Sequence, residues 1–167
     1  GRGAAEGPDG MSADSFALPL RVYWEDTDAG GIVFYANYLK FMERARTEWL
    51  RSMGIEQRVL REQSGGMFVV SETQIKYHRP ARLDDELLVT ATLQQIGPAS
   101  MIIGQRVLSK TQHNSVLCEG SIRIGWVDAG RMRPARMPTE LVGTLERFLG
   151  SMSPRDAQRP ARVSLLS

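Results

Sequence analysis

The segment from Ala36 to Met53 limits the folds open to this chain more than any other stretch. Tyr38, Met42, Ala45 and Trp49 recur at spacings of four, three and four, and Phe41 widens the stripe. Lys40, Glu43, Arg44, Glu48 and Arg51 mostly take the other faces. The spacing predicts a long amphipathic helix, with Gly54 as its stop. A helix with so much aromatic and aliphatic bulk on one side requires another layer to cover it.

The rest of the sequence supplies that layer. Leu18, Leu20, Val22 and Trp24 alternate with Pro19, Arg21, Tyr23 and Glu25, which predicts a strand from Leu18 to Glu25. Four more strands are expected, at about Phe68 to His78, Glu86 to Ile96, Ser100 to Thr111 and Val116 to Val127. Turn-forming residues separate them: Arg79 to Asp85, Gly97-Pro98, and Gln112-His113-Asn114. The last two connections are short enough for antiparallel hairpins. A short helix is expected from Glu56 to Gln63, and another from Glu140 to Leu149 through Leu141, Leu145 and Phe148. The order of strand, long helix and four strands is an α+β layout.

With 167 residues, 42% of them hydrophobic, the chain fits one domain with a packed core. Its apolar runs are only a few residues long, as at Met101-Ile102-Ile103, so a soluble cytoplasmic protein is expected. The net charge of +2 is uneven. From Asp128 onward seven Arg face four carboxylates, without the interleaved aromatics that stack on bases, so nucleic acid is not an expected partner. Cys118 is the only cysteine and alternates with Val116, Gly120 and Ile122, as a strand residue in the core would.

Polar chemistry concentrates in Glu25-Asp26-Thr27-Asp28-Ala29-Gly30-Gly31, between the first strand and the long helix. Asp26, Asp28 and Gly31 copy three positions of a calcium loop, but Asn37 stands where such a loop needs a bidentate Glu. A phosphate loop fails because no Gly-Lys-Ser/Thr follows the glycines. The plain structural alternative is a turn made by Asp side chains. No Gly-x-Ser-x-Gly elbow exists, and Cys118, His78 and His113 lack the spacing of a zinc site, so no metal is expected. The two His are expected to be structural or solvated. If the protein is an enzyme, a carboxylate leads.

Residues Arg21 to Leu39, followed by Phe41 to Glu48, resemble the signature of hotdog-fold acyl-CoA thioesterases. The similarity is greatest to the YbgC-type enzymes associated with the Tol-Pal envelope system and extends to the 4-hydroxybenzoyl-CoA thioesterase family. Tyr77 to Asp85 matches the same group, and the resemblance runs over about residues 18 to 140. It implies a long helix wrapped by a five-stranded antiparallel sheet, with sheets joined between subunits and active sites at the dimer interface. It divides the chain into a disordered leader (1–17), a hotdog thioesterase domain (18–149) and a flexible Arg- and Pro-containing tail (150–167).

The family's catalytic Asp corresponds to Asp28, and the backbone N–H at Tyr35 corresponds to the donor that polarises the thioester carbonyl. Carboxylates are ionised at pH 7, so such a residue can act as general base or as nucleophile. The substrate implied is acyl-CoA or an acyl carrier protein thioester, hydrolysed without a cofactor by a homodimer or homotetramer. Two departures bear on the pocket: Tyr35 stands where YbgC-type enzymes usually carry His, and Trp24 where Tyr is usual. Trp24 and Tyr35 are candidate pocket walls, with a core role the alternative for Trp24. Glu43 is the reserve catalytic carboxylate, and Glu43 and Glu48 otherwise pair with nearby Arg. A hotdog dehydratase is disfavoured because neither His lies in the loop or on the long helix. A noncatalytic acyl-carrier or envelope-biogenesis binding protein is the alternative of another class.

Overall fold

The computed structural model describes residues 16–149. Strand β1 (Phe16–Arg21) leads through a short turn to the long helix α1 (Asn37–Ser52), and helix α2 (Gln57–Ser64) follows. Then come β2 (Gly66–Tyr77), β3 (Glu86–Ile96), β4 (Ser100–Ser109), β5 (Ser115–Asp128), the two-residue β6 (Arg133–Pro134) and helix α3 (Thr139–Leu149). The sheet is antiparallel in the order β1-β3-β4-β5-β2, with β6 on β5. Its five main strands and the long helix are those expected for a hotdog fold.

The stripe of α1 does what its spacing predicts. Tyr38, Phe41, Met42, Ala45, Trp49 and Leu50 are buried, and they join Leu87, Val89, Ala91 and Leu93 of β3 in one core. Gln105 ties the two layers by polar bonds: its Nε2 donates to the Met42 carbonyl of α1 and the Thr90 carbonyl of β3, each at 3.1 Å. Because Gln105 is fully enclosed, these partners replace the water it loses. Gly54 ends the α1 region with φ +84°, and Gly65 ends α2 with φ +76°, left-handed values that glycine reaches without strain.

Three boundaries differ from expectation. The first strand starts at Phe16, so Phe16 and Ala17 belong to the domain, paired with Ala91 and Thr90. Residues 1–15 of the expected leader and the whole expected tail lie outside the described residues. At its other end β1 stops at Arg21 instead of Glu25. There Val22 exchanges backbone bonds with Asp84 and Asp85, at 3.0 and 2.9 Å, and the Asp26 carboxylate takes the Tyr23 N–H at 2.8 Å. A side chain thus replaces the next strand bond, and Trp24–Asp26 coils into a short 3-10 turn. That turn points Trp24 outward, 71% exposed, so the core role for Trp24 is ruled out. β4 stops at Ser109 because the Asn114 N–H closes a turn onto its carbonyl at 2.7 Å, with His113 and Asn114 at φ 60° and 61°.

Gly66 is required by packing. A Cβ there would overlap the indole of Trp126 on the paired strand, and Trp126 is held edge-on by Phe68 with centroids 5.0 Å apart. Gly66→Ala is expected to lower stability by about 1–3 kcal/mol, the usual cost of overpacking, as read from urea unfolding midpoints.

Candidate active site

The acidic loop folds into a tight hairpin. Thr27 bridges Val33, the Asp28 N–H donates to the Ile32 carbonyl at 2.9 Å, and the Gly31 N–H returns to the Asp28 carbonyl at 3.0 Å. Gly31 at φ +80° allows the chain to reverse there. The β2–β3 connection supports the hairpin from the side: Val33 N–H donates to Ala81 O at 2.9 Å and Leu83 N–H to Gly31 O at 3.1 Å. The buried Tyr38 hydroxyl accepts the Ala81 N–H at 2.8 Å, so α1 anchors this support. Residues 77–85 and 21–39, two separate parts of the sequence resemblance, therefore form one structure.

Within the hairpin Asp28 is exposed and its two oxygens differ. Oδ1 accepts the Gly30 N–H at 2.8 Å and the Ile32 N–H at 3.4 Å. Oδ2 has no partner among the described residues. The carboxylate is therefore a turn-former with one oxygen anchored and the other open. Gly30 makes room for it, since a Cβ there would stand 3.3 Å from Oδ1.

Tyr35 sits immediately before Ala36, the residue that caps α1. Among the described residues nothing accepts its backbone N–H, as befits one of the unpaired donors at a helix start. Its carbonyl accepts the Tyr77 hydroxyl at 3.3 Å, and its ring meets that of Tyr77 edge-on at 5.9 Å. Burial, reinforced by Cys118 and Tyr35, raises the Tyr77 phenol above its ordinary value, so it stays protonated and donates. Tyr77 opens the second matching stretch, yet its tie to Tyr35 depends on contact across 42 residues. Trp24 and Tyr35 are both widely exposed, at 71% and 63%, on the loop and the helix start respectively.

The other polar candidates lie elsewhere. His78 Nε2 pairs with Glu119 Oε2 at 2.8 Å across the β2–β5 ladder, and His113 occupies an exposed turn. Glu48 pairs with Arg51 at 2.6 Å. Glu43 lines a different feature, a cleft of about 450 Å³ including its open mouth. Leu50, Phe68, Met101, Ile103 and Ile124 make its apolar wall, with Glu43, Arg46 and Thr47 along the helix side. Arg46 Nη1 donates to Gln105 Oε1 at 3.0 Å, while burial lowers the pKa of its guanidinium and the Glu43 carboxylate opposes that shift. The rise of 1.5 Å per residue places Glu43 about 9 Å along the helix from its first residue, Asn37.

Cys118 is fully buried, as its alternation predicts, and burial followed by the Glu119 charge pushes its thiol up to about 12. The native protein thus holds a proton that the unfolded thiol releases from about pH 9. This contribution to stability is complete below that pH and is lost as the pH climbs toward 12. Iodoacetamide at pH 8 is expected to spare Cys118 in the native state and label it in urea, as read by intact mass.

Comparison with known proteins agrees with this architecture. A family model described as the thioesterase-like superfamily matches residues 22–145. The acyl-CoA thioesterase YbgC of Haemophilus influenzae is 40% identical over 131 residues, spanning 78% of this chain and 94% of that protein. The acyl-CoA thioester hydrolase YbgC of Escherichia coli is 38% identical over 132 residues, spanning 79% and 96%. A crystal structure of a probable thioesterase from Bartonella henselae superposes with a TM-score of 0.68 at 31% identity, covering 74% of this chain and 99% of that one. The chain belongs to the thioesterase-like superfamily, as a thioester hydrolase of YbgC type on the hotdog fold.

Proposed function

We propose that the protein hydrolyses acyl-CoA thioesters, with Asp28 as the reacting carboxylate and the Tyr35 N–H as the donor to the thioester oxygen. The observation that carries this reading is the Asp28 Oδ2, open among the described residues, on a loop packed against the start of α1, where the Tyr35 N–H likewise has no acceptor among them. Water adds to the acyl carbon, either directly after losing a proton to Asp28 or to an anhydride that Asp28 first forms. In both routes negative charge gathers on the thioester oxygen and CoA leaves as the thiolate, which takes up the proton that the attacking water gives up. An N–H at a helix N-terminus stabilises that charge through the hydrogen bond and the helix dipole. The identity to proteins named acyl-CoA thioesterase and acyl-CoA thioester hydrolase supports the choice of thioester. The test is release of free thiol from a panel of short, long and aromatic acyl-CoAs, expected to proceed at rates well above buffer.

The cleft along α1 receives the acyl chain in this reading. Leu39, Glu43, Arg46 with Thr47, and Leu50 follow helical spacing from the catalytic end of α1 to its apolar wall. Thr47→Phe narrows this path. Its kcat/KM for long acyl-CoAs is expected to fall by about tenfold or more while acetyl-CoA is little affected, since one filled pocket position is worth about 1–3 kcal/mol.

The active unit is a homo-oligomer in this proposal. β2 ends the sheet, is 12 residues long, and has exposed side chains from Val70 to Thr73. A long open edge of this kind is normally covered, and a second copy offers an equivalent edge. Light scattering on the purified chain distinguishes dimer, tetramer and monomer, the last being the result against the proposal.

A further inference from the structure

We propose that Asn37 is a positioning residue that sets the Asp28 loop and the Tyr35 N–H relative to each other; the proposal rests on the catalytic roles given above. Asn37 touches both halves of the site. Its backbone N–H donates to the Phe34 carbonyl at 2.8 Å. That carbonyl belongs to the same peptide unit as the Tyr35 N–H, and in a trans peptide the two groups point in opposite directions. Fixing the carbonyl inward toward α1 therefore turns the Tyr35 N–H outward, where none of the described residues accepts it.

The side chain of Asn37 reaches the other half. Its Nδ2 donates to the Asp26 carbonyl at 2.9 Å, two residues before Asp28. The Asp26 carbonyl's other bond, from the Phe34 N–H, is stretched to 3.4 Å and is a weak tie by itself. From Asp26 the chain passes directly into the Thr27–Val33 bridge that presents Asp28. The amide of Asn37 is thus the short hydrogen bond between the base-bearing loop and α1. It is part-buried, so water competes poorly for the same carbonyl.

The chemistry selects this side chain. A carboxylate of the same shape offers no N–H and would face the Asp26 carbonyl with negative charge. Yet at the first position of a helix a carboxylate favours the helix dipole. Asn37→Asp therefore separates positioning from stability within one variant. Asn37→Ala removes the tie without adding charge.

The test measures kcat, KM and melting temperature for Asn37→Asp and Asn37→Ala, each alone and combined with Asp28→Asn. The expected result is a fall in kcat of about 10- to 100-fold, the scale of a displacement near 1 Å, with KM changed by less than about threefold. The melting temperature of Asn37→Asp is expected to fall by no more than a few degrees, because the helix dipole offsets much of the lost bond. In the Asp28→Asn background either Asn37 change is expected to cost almost nothing further, because the group it positions is already lost. A kcat near that of the unmodified protein in both single variants overturns the proposal. So does the same fold-loss in both backgrounds, which is the signature of general damage to the fold. An unmodified protein that turns over no acyl-CoA overturns the proposed function and this inference with it.

Discussion

Asp28→Asn is expected to lower kcat for acyl-CoA hydrolysis by about 10²- to 10⁴-fold, the range of a lost general base. The substitution is conservative for structure. Asn retains the Oδ1 that accepts the Gly30 and Ile32 N–H groups, so the hairpin around Gly31 keeps its bonds. What it removes is the negative charge and the basic lone pair of Oδ2. Thiol release, circular dichroism and light scattering on the same preparation check the result. Full activity in a folded variant would eliminate Asp28 as the reacting group. It would also leave Glu43, on the cleft beside Arg46, as the next carboxylate to test.

Trp49→Ala carries the largest expected cost to stability. Trp49 is 2% exposed, one of the largest enclosed side chains, and lies on the apolar stripe of α1. Large-to-small changes of this kind cost about 3–5 kcal/mol, because the cavity adds to the lost transfer energy. Against a typical total of about 5–15 kcal/mol, that is a large share of the margin. For a domain of this size the melting temperature is expected to fall by about 10 °C or more. A loss below about 1 kcal/mol in chemical denaturation would mean that α1 is not held by this stripe.

Much of this architecture is visible in the sequence because it depends on local periodicity. The stripe Tyr38, Met42, Ala45 and Trp49 predicts α1 to within a residue at each end, since only a 3.6-residue repeat gathers them on one side. The alternation of Leu87, Val89, Ala91 and Leu93 predicts β3 with its observed bounds for the corresponding physical reason. The end of β1 was not visible in this way. Val22 and Trp24 continue the alternation, but Asp26 captures the Tyr23 N–H and loop 84–85 takes the bonds of Val22. Alternation records which side chains could share a face, and a competing hydrogen bond decided where the strand stopped.

The candidate site divides along the same line. Asp28, the two glycines beside it and the start of α1 at Tyr35 are consecutive in the chain, so the motif alone points to them. Tyr77 and Asn37 also stand in stretches that resemble the family, but their contacts do not follow from position. The Tyr77 hydroxyl meets the Tyr35 carbonyl only because β2 returns past the start of α1. The Asn37 amide meets Asp26 only because the hairpin folds back onto the helix. Glu43 shows the converse: helical spacing sets it along α1, and packing against Phe68, Met101 and Ile124 makes its surroundings a cleft.

The sequence by itself determined the α+β class, the covered helix and the acidic loop beside the helix start, because each depends on residues close together in the chain. Only the tertiary structure decided that Asp28 has one anchored and one open oxygen, that Trp24 faces outward, and that a cleft runs beside Arg46. Those features depend on which distant backbone groups arrive within hydrogen-bonding distance. A local sequence pattern does not specify the positions of those partners.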